Sequence, residues 1–282
     1  MTRRSVILLG GPDSGKTNYV GRLWPALDGG EGRLIAAVQP NDIGFVLDTA
    51  DHLFQGQFAP RSEHTEARRD FEVVVRACDS DSQATIVIPD ISGELWKKAV
   101  DDSELESDWM DELKRADGAL IFVRINSDQN IRPLDWVTSK RLLGRIGGDL
   151  KKGTPTQVML CELIRFLELS LKKRPDGGTP RLSVVVSAWD LVDQESFEKG
   201  PEAFIAREYP LLGGRLKDTF LDVKIFGLSV VGGDLSVDES YREAFLEKGL
   251  DGHGWVASYD TTNHLWHKDS DVTLPVAWVV GI

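Results

Sequence analysis

Short apolar runs alternate with amphipathic stretches along this chain. The runs at 6–9 and 119–123 are apolar throughout, which is typical of strands buried on both faces of a sheet. Further strands are predicted at 33–38, 71–76, 85–88, 181–186 and 222–228. Because helices are predicted between the strands, we expect an α/β fold with a mainly parallel sheet and helices on both faces.

Helices are predicted where apolar residues recur at three- and four-residue spacing. Val20, Leu23, Trp24 and Leu27 form one such face, and the glycine pair at 29–30 ends that helix. Further helices are predicted at 42–54, 104–116 and 156–174, and Pro201 suits the first position of another.

The helix predicted at 156–174 has a wide apolar face. Its apolar positions are Val158, Met159, Cys161, Leu163, Ile164, Phe166, Leu167 and Leu171. We interpret this face as the inner side of a core helix, and a partner-binding surface is the alternative. Both cysteines, Cys78 and Cys161, lie in apolar contexts and are predicted to be buried, reduced thiols.

The sequence GGPDSGKT connects the first predicted strand to the first predicted helix. It fits the pattern G-x-x-x-x-G-K-[ST], in which Gly10, Gly15, Lys16 and Thr17 hold the fixed positions. In such a loop, backbone N–H groups and a helix N-terminus form a concave anion site. Lys16 adds a positive charge for the β- and γ-phosphates, and Thr17 offers a hydroxyl to Mg²⁺. This P-loop therefore predicts binding of a nucleoside triphosphate.

Three more polar motifs follow apolar strands. They are DISGE at 90–94, SAWD at 187–190 and GLS at 227–229. Because the carboxyl ends of parallel strands meet at one edge of the sheet, we expect these motifs to lie beside the P-loop. Asp90 suits Mg²⁺ binding through water, and Gly93 has no Cβ to keep its N–H from a γ-phosphate.

Together these motifs resemble those of the P-loop GTPases of the small-GTPase and translation-factor class. Residues 90–93 match D-x-x-G, residues 187–190 resemble [NT]-K-x-D, and residues 227–229 resemble the last guanine loop. The long first switch region and the insert after the fourth strand are similar to those of bacterial double-GTPase families of conflict operons. The resemblance covers most of residues 1–235. It implies a P-loop GTPase fold, GTP/GDP and Mg²⁺ as ligands, and a switch that acts with partner proteins.

The motifs and the resemblance to this class together nominate the site residues. Nucleotide contacts are predicted at Gly10, Asp13, Ser14, Gly15, Lys16, Thr17, Asn18, Gly93, Ser187, Trp189, Asp190 and Ser229. The metal ligands are predicted to be Thr17, Thr65 and Asp90, and the catalytic residues Lys16, Thr65 and Glu94. Thr65 is the candidate threonine of the first switch, and an exposed or helix-capping threonine is the alternative.

Two departures from that class bear on the reaction. Ala188 stands where the class has the lysine that flanks the guanine ring, and Trp189 is the candidate to cover part of that ring. Glu94 stands where many relatives have the glutamine that orients the attacking water. A carboxylate there repels the γ-phosphate, so we expect slow or partner-dependent hydrolysis. The alternatives are an interaction module with little or no hydrolysis, and an ATPase of the same fold.

The composition narrows the choice of partners. The 282 residues carry a formal net charge of −12, which argues against nucleic acid or an anionic membrane as the partner. The sequence has no run of 18 apolar residues, so no membrane span is expected. The expected partners are a nucleotide and proteins that bind the switch regions, and the expected location is cytoplasmic.

The domain organisation is predicted to be simple. We expect one P-loop domain over 1–282, with approximate insertions at 28–60 and 126–180. The extension at 232–282 is predicted to be irregular.

Overall fold

The computed structural model describes residues 2–30, 32–40, 42–60, 70–79, 83–89, 93–102, 104–133, 154–174, 176–235, 237–250 and 252–281. In these ranges the strands are β1 (Thr2–Leu9), β2 (Leu34–Val38), β3 (Asp70–Ala77), β4 (Gln83–Pro89), β5 (Gly118–Arg124), β6 (Arg181–Ser187), β7 (Asp222–Ser229), β8 (Trp255–Asp260) and β9 (Leu265–Asp269). The helices are α1 (Lys16–Gly29), α2 (Gly44–Phe54), α3 (Gly93–Asp101), α4 (Ser107–Arg115), α5 (Thr156–Ser170), α6 (Gln194–Glu208), α7 (Pro210–Asp218), α8 (Glu239–Lys248) and α9 (Leu274–Val280).

The strands form one sheet in the order β2-β3-β4-β1-β5-β6-β7-β8-β9. The five central strands, from β4 to β7, are parallel to their neighbours within that set. Antiparallel pairs extend the sheet on both sides, with β3 and β2 at one end and β8 and β9 at the other. The predicted α/β fold is confirmed, and the carboxyl ends of β4, β1, β6 and β7 share one edge of the sheet.

Alternate residues of β1 enter two different cores. Ile7 and Leu9 belong to the core that packs under α3, α4, α5, α6 and α7. Val6 and Leu8 belong to the core on the opposite face, under α1, α2 and α9. Residues 6–9 of this strand are apolar because both faces of the sheet are covered there, as the sequence predicted.

Helix α5 is a core helix, but its buried face differs from the predicted stripe. The buried residues are Gln157, Met159, Leu160, Leu163, Ile164 and Leu167, whereas Val158 is exposed. The actual face includes Leu160, which the prediction omitted, and follows the helical period more closely. The helix ends at Ser170, four residues before the predicted end.

The two cysteines are less buried than predicted. Both are free thiols in the structure, but Cys78 is exposed just after β3, and Cys161 is half-buried on α5. Burial raises the pKa of the Cys161 thiol above its usual value. The apolar neighbours of Cys78 lie in β3, whose alternation does not extend to the residue after the strand.

The C-terminal extension is regular, contrary to the prediction for 232–282. It forms α8, the hairpin of β8 and β9, and α9. Val276, Ala277, Val279 and Val280 of α9 enter the same core as Val6. These elements are five to ten residues long, so each one offers too few turns or alternations for a clear periodic signal.

The helices in the described ranges include none with the length and apolar character needed to cross a membrane.

Candidate functional site

The P-loop joins the end of β1 to the start of α1, and its backbone turns sharply. Gly15, which precedes α1, has a φ of 93°, a conformation that favours glycine. Asp13 also has a left-handed backbone, with a φ of 60°. These turns lead the chain into the N-terminus of α1, the positive end of the helix dipole. The loop therefore has the sharp backbone turns and the adjoining helix N-terminus that the motif predicts.

The Lys16 side chain lies over the loop. Its Nζ donates to the carbonyl oxygens of Gly10 at 2.8 Å and Gly11 at 3.1 Å, and to Oγ of Ser14 at 3.1 Å. The ammonium group is thus held at the mouth of the anion site. This placement suits the phosphate contact predicted for Lys16.

Ser187, at the end of β6, fastens the loop from one side. Its Oγ donates to the carbonyl oxygen of Ser14 at 2.7 Å, and both residues are buried. The motif that was predicted to read the base therefore touches the P-loop directly. Ala188, the next residue, has a left-handed φ of 57° and turns the chain into a short 3-10 helix at Trp189–Leu191.

Gly93, the first residue of α3, approaches the loop from another side. A Cβ built on Gly93 would lie 2.4 Å from the carbonyl oxygen of Gly11 and 2.5 Å from the nitrogen of Pro12. Glycine alone allows this approach. The buried Trp96, one turn into α3, donates from Nε1 to the carbonyl oxygen of Leu8 at 3.1 Å and fixes the helix against β1.

The Asp13 carboxylate points toward the end of β5. Arg124 donates from Nη1 to Oδ1 at 3.0 Å, and Ser127 donates from Oγ to Oδ2 at 3.0 Å. The side chain is thus occupied by protein groups, and the backbone N–H of Asp13 is its candidate phosphate contact.

Asn18 and Thr17 lie on the first turn of α1. Oδ1 of Asn18 accepts a hydrogen bond from the backbone N–H of Ala59 at 2.9 Å, which ties α1 to the first predicted switch segment, about 55–70. Thr17 lines a small cavity with Phe45 and with Pro89, the last residue of β4. Its hydroxyl is therefore near the strand end that leads to the predicted metal ligand Asp90.

The carboxyl ends of β6 and β7 form the candidate base pocket. Asp190 is partly exposed just beyond β6. Ser229 is fully buried at the end of β7, and its Oγ accepts from the backbone N–H of Gly232 at 2.8 Å. Tyr241 of α8 donates its hydroxyl to the carbonyl oxygen of Val231 at 2.7 Å. Burial raises the pKa of the Tyr241 phenol, and the nearby Asp190 carboxylate raises it further.

Trp189 does not face this pocket. Its side chain is completely buried, packs edge-on against Phe204 and lies over Gly227. The structure places Trp189 in the core, so it does not support the prediction that this ring covers part of a bound base. The chain leaves β6 at Ser187 and turns at the left-handed Ala188 into the 3-10 helix, where the Trp189 side chain is buried.

The remaining predicted site residues are Glu94, Thr65 and Asp90. Glu94 lies half-buried in the first turn of α3, directly after Gly93. Thr65 and Asp90 lie outside the described residues.

Sequence reasoning missed Arg124, Ser127 and Tyr241 at this edge. Arg124 carried a usable signal, since it is the single charge that ends the apolar run of β5. Ser127 and Tyr241 stand in no motif, and only the fold brings Tyr241 from the C-terminal extension to the loop after β7.

A P-loop with three further loops at the same sheet edge defines a P-loop nucleotide-binding protein. The chain belongs to the Double-GTPase 1 family, whose family model matches residues 7–279. No curated protein matches the sequence. Family membership confirms the predicted resemblance and makes the chain a GTP-binding, GTPase-like protein.

Ser187→Ala tests the fastening of the P-loop. Removing the donor leaves the buried carbonyl of Ser14 without this hydrogen bond, so the free energy of unfolding should fall by about 1–3 kcal/mol in urea titrations. Ser183→Ala is the matched control, because Ser183 is also buried on β6 but its Oγ has no hydrogen-bond partner within the described ranges. Equal losses in the two variants would contradict the assignment.

Proposed function

We propose that the protein is a GTP-regulated switch that binds Mg²⁺ and GTP or GDP and hydrolyses GTP slowly. The observation that supports this most strongly is that two other motifs contact the P-loop. Ser187 binds the loop through the Ser14 carbonyl, and Gly93 packs against Gly11. Groups suited to phosphate and to base thus meet at one edge of the sheet.

The triphosphate would lie in the P-loop. The backbone N–H groups of the loop, the N-terminus of α1 and the Lys16 ammonium all offer positive charge there. Gly93 packs against Gly11 and Pro12 of the loop, and its N–H is the proposed contact to the γ-phosphate. Loss of that phosphate would remove a contact at the start of α3, which is the physical basis of the proposed switch.

The base would lie between the ends of β6 and β7. The Asp190 carboxylate suits guanine, because it can accept hydrogen bonds from N1–H and from the exocyclic amine together. Adenine lacks both donors at that edge, so a charged acceptor would be left underpaired. Related proteins have a lysine at the position of Ala188, and its side chain covers one side of the guanine ring. Because alanine covers less of the ring, we expect the protein to prefer guanine but to bind it with modest affinity.

The proposed Mg²⁺ site is built on Thr17. The hydroxyl of Thr17 is an oxygen ligand at the phosphate end of the site, and the end of β4 beside it leads to Asp90. We propose Thr17 and Asp90, with Thr65 from the first switch, as the residues that would hold the ion. Bound there, Mg²⁺ would neutralise charge on the β- and γ-phosphates.

Hydrolysis is proposed to be slow because of Glu94. Glu94 follows Gly93 in the first turn of α3, where the helix packs against the P-loop, and we propose that its carboxylate faces the γ-phosphate. It would repel the phosphate and cannot donate a hydrogen bond to it when ionised. An interaction module that binds GTP with little hydrolysis is the second candidate, and Glu94 and Ala188 favour it.

We further propose that the switch acts in the cytoplasm on protein partners, as part of a bacterial conflict system. The net charge of −12 favours protein partners over nucleic acid. The partner surface is proposed to include the two predicted switch segments, about 55–70 and 91–104.

Lys16→Ala should weaken GTP binding at least tenfold in titration calorimetry. A charge-assisted hydrogen bond contributes about 1.5–3 kcal/mol, which corresponds to about ten- to more than a hundredfold in affinity. Lys199→Ala, which removes an exposed lysine on α6, is the control. Unchanged affinity in Lys16→Ala, with a normal circular dichroism spectrum, would refute the proposed phosphate site.

The isolated protein should turn over GTP at well below about 1 s⁻¹, the low end of typical enzymes. Glu94→Gln should raise this rate, because the amide removes a negative charge and can orient water. Glu104→Gln removes an exposed charge beyond α3 and is the control. Rapid turnover that Glu94→Gln abolishes would show instead that the carboxylate is catalytic.

Asp190→Asn should shift base preference from guanine to xanthine. The amide cannot accept both guanine protons, but it can donate to the additional carbonyl of xanthine. A competition assay with GTP, ATP and xanthosine triphosphate would measure the change, which should exceed about tenfold. Wild-type preference for ATP, or an unmoved preference in the variant, would favour the ATPase alternative.

A further inference from the structure

A carboxylate lies inside the proposed phosphate-binding loop. Asp13 is the fourth residue of the P-loop, and its left-handed backbone is part of the turn that leads to α1. A negative side chain at this position opposes the binding of a triphosphate, which carries several negative charges. The proposed function therefore requires that the charge of Asp13 be neutralised.

Arg124 and Ser127 meet this requirement in the structure. The guanidinium donates to one carboxylate oxygen and the hydroxyl to the other, both at 3.0 Å. We call Asp13, Arg124 and Ser127 the Asp13 cluster. Both carboxylate oxygens accept hydrogen bonds from residues at the end of β5 and just after it. The carboxylate therefore points toward β5, while the backbone of Asp13 remains in the loop.

Hydrogen bonds to its carbonyl oxygen hold the backbone of Arg124 in place at the end of β5. The carbonyl oxygen of Arg124 accepts hydrogen bonds from Nδ2 of Asn130 and from the hydroxyl of Tyr209, each at 3.2 Å. Asn130 also donates to the Tyr209 hydroxyl at 2.8 Å. The residue that pairs with Asp13 is thus fixed by contacts from the following loop and from the start of α7.

Folding stability alone does not account for this arrangement. The side chains of Arg124 and Asp13 are 29% and 31% exposed, and ion pairs with this degree of exposure contribute little to stability. The same pair has a larger effect on a bound anion, because an uncompensated charge in the loop would act on the phosphates at short range.

We propose that Arg124 is a positioning residue of the nucleotide site, which neutralises Asp13 and turns its carboxylate away so that the P-loop accepts a triphosphate. The inference rests on the proposed function. It differs from a direct phosphate contact, because Arg124 acts through Asp13. The two roles predict different effects of substituting Arg124 once Asp13 has been neutralised by mutation.

A double-mutant cycle tests the proposal. GTP affinity is measured by titration calorimetry for the wild type, Arg124→Met, Asp13→Asn and the Asp13→Asn/Arg124→Met double variant. Arg124→Met should weaken binding at least tenfold, because Asp13 is left uncompensated. The double variant should bind within about threefold of Asp13→Asn, because no negative charge then remains for Arg124 to neutralise.

Two results would overturn the proposal. Wild-type affinity in Arg124→Met would show that compensation is unnecessary. A double variant as weak as Arg124→Met would show that Arg124 binds the nucleotide directly or maintains the fold. Arg124→Lys is the second variant if Arg124→Met does not fold. It keeps the charge and should bind within about threefold of wild type, and a tenfold loss would overturn the proposal.

Failure of the role inferred for Arg124 can be distinguished from failure of the proposed function. If the wild-type protein binds no GTP and Lys16→Ala changes nothing, the phosphate site itself is wrong. If the wild type binds GTP and Lys16→Ala does not, the site stands and the cycle decides the role of Arg124 alone.

Discussion

The close contact between the P-loop and the strand ends around it is the constraint on which the rest of the site depends. A loop of backbone N–H groups binds phosphate only when it is held open in one shape. Here Ser187 holds it from β6, Asp13 ties it to β5, and Gly93 sets α3 against it. The parallel order of β4, β1, β5 and β6 brings these three contacts to one place.

This arrangement links the two halves of the proposed nucleotide site. Ser187 contacts the P-loop, and three residues later Asp190 stands at the proposed base pocket. Gly93 contacts the loop and begins the helix that carries Glu94. A change at the γ-phosphate position would thus act on α3, while the base contact on the far side of the loop stays fixed to β6. Such a division between a fixed part and a responsive part suits a switch.

Much of the fold was predictable because its central strands include stretches that are buried on both faces. Uninterrupted apolar runs marked β1 and β5, and the P-loop spacing marked the junction between β1 and α1. The C-terminal elements were missed because they are short. The inward direction of Trp189 and the contact between Arg124 and Asp13 depend on how distant segments meet, which local patterns do not encode. Tyr241 reaches the loop after β7 because α8 folds back against that loop.

The most direct test of this account is a crystal structure with Mg²⁺ and a non-hydrolysable GTP analogue. We predict phosphates in the P-loop, the Lys16 ammonium on the β- and γ-phosphates, and the guanine edge on the Asp190 carboxylate. The Arg124 guanidinium should remain on Asp13. A nucleotide bound elsewhere, or a base that does not contact Asp190, would contradict the central claim.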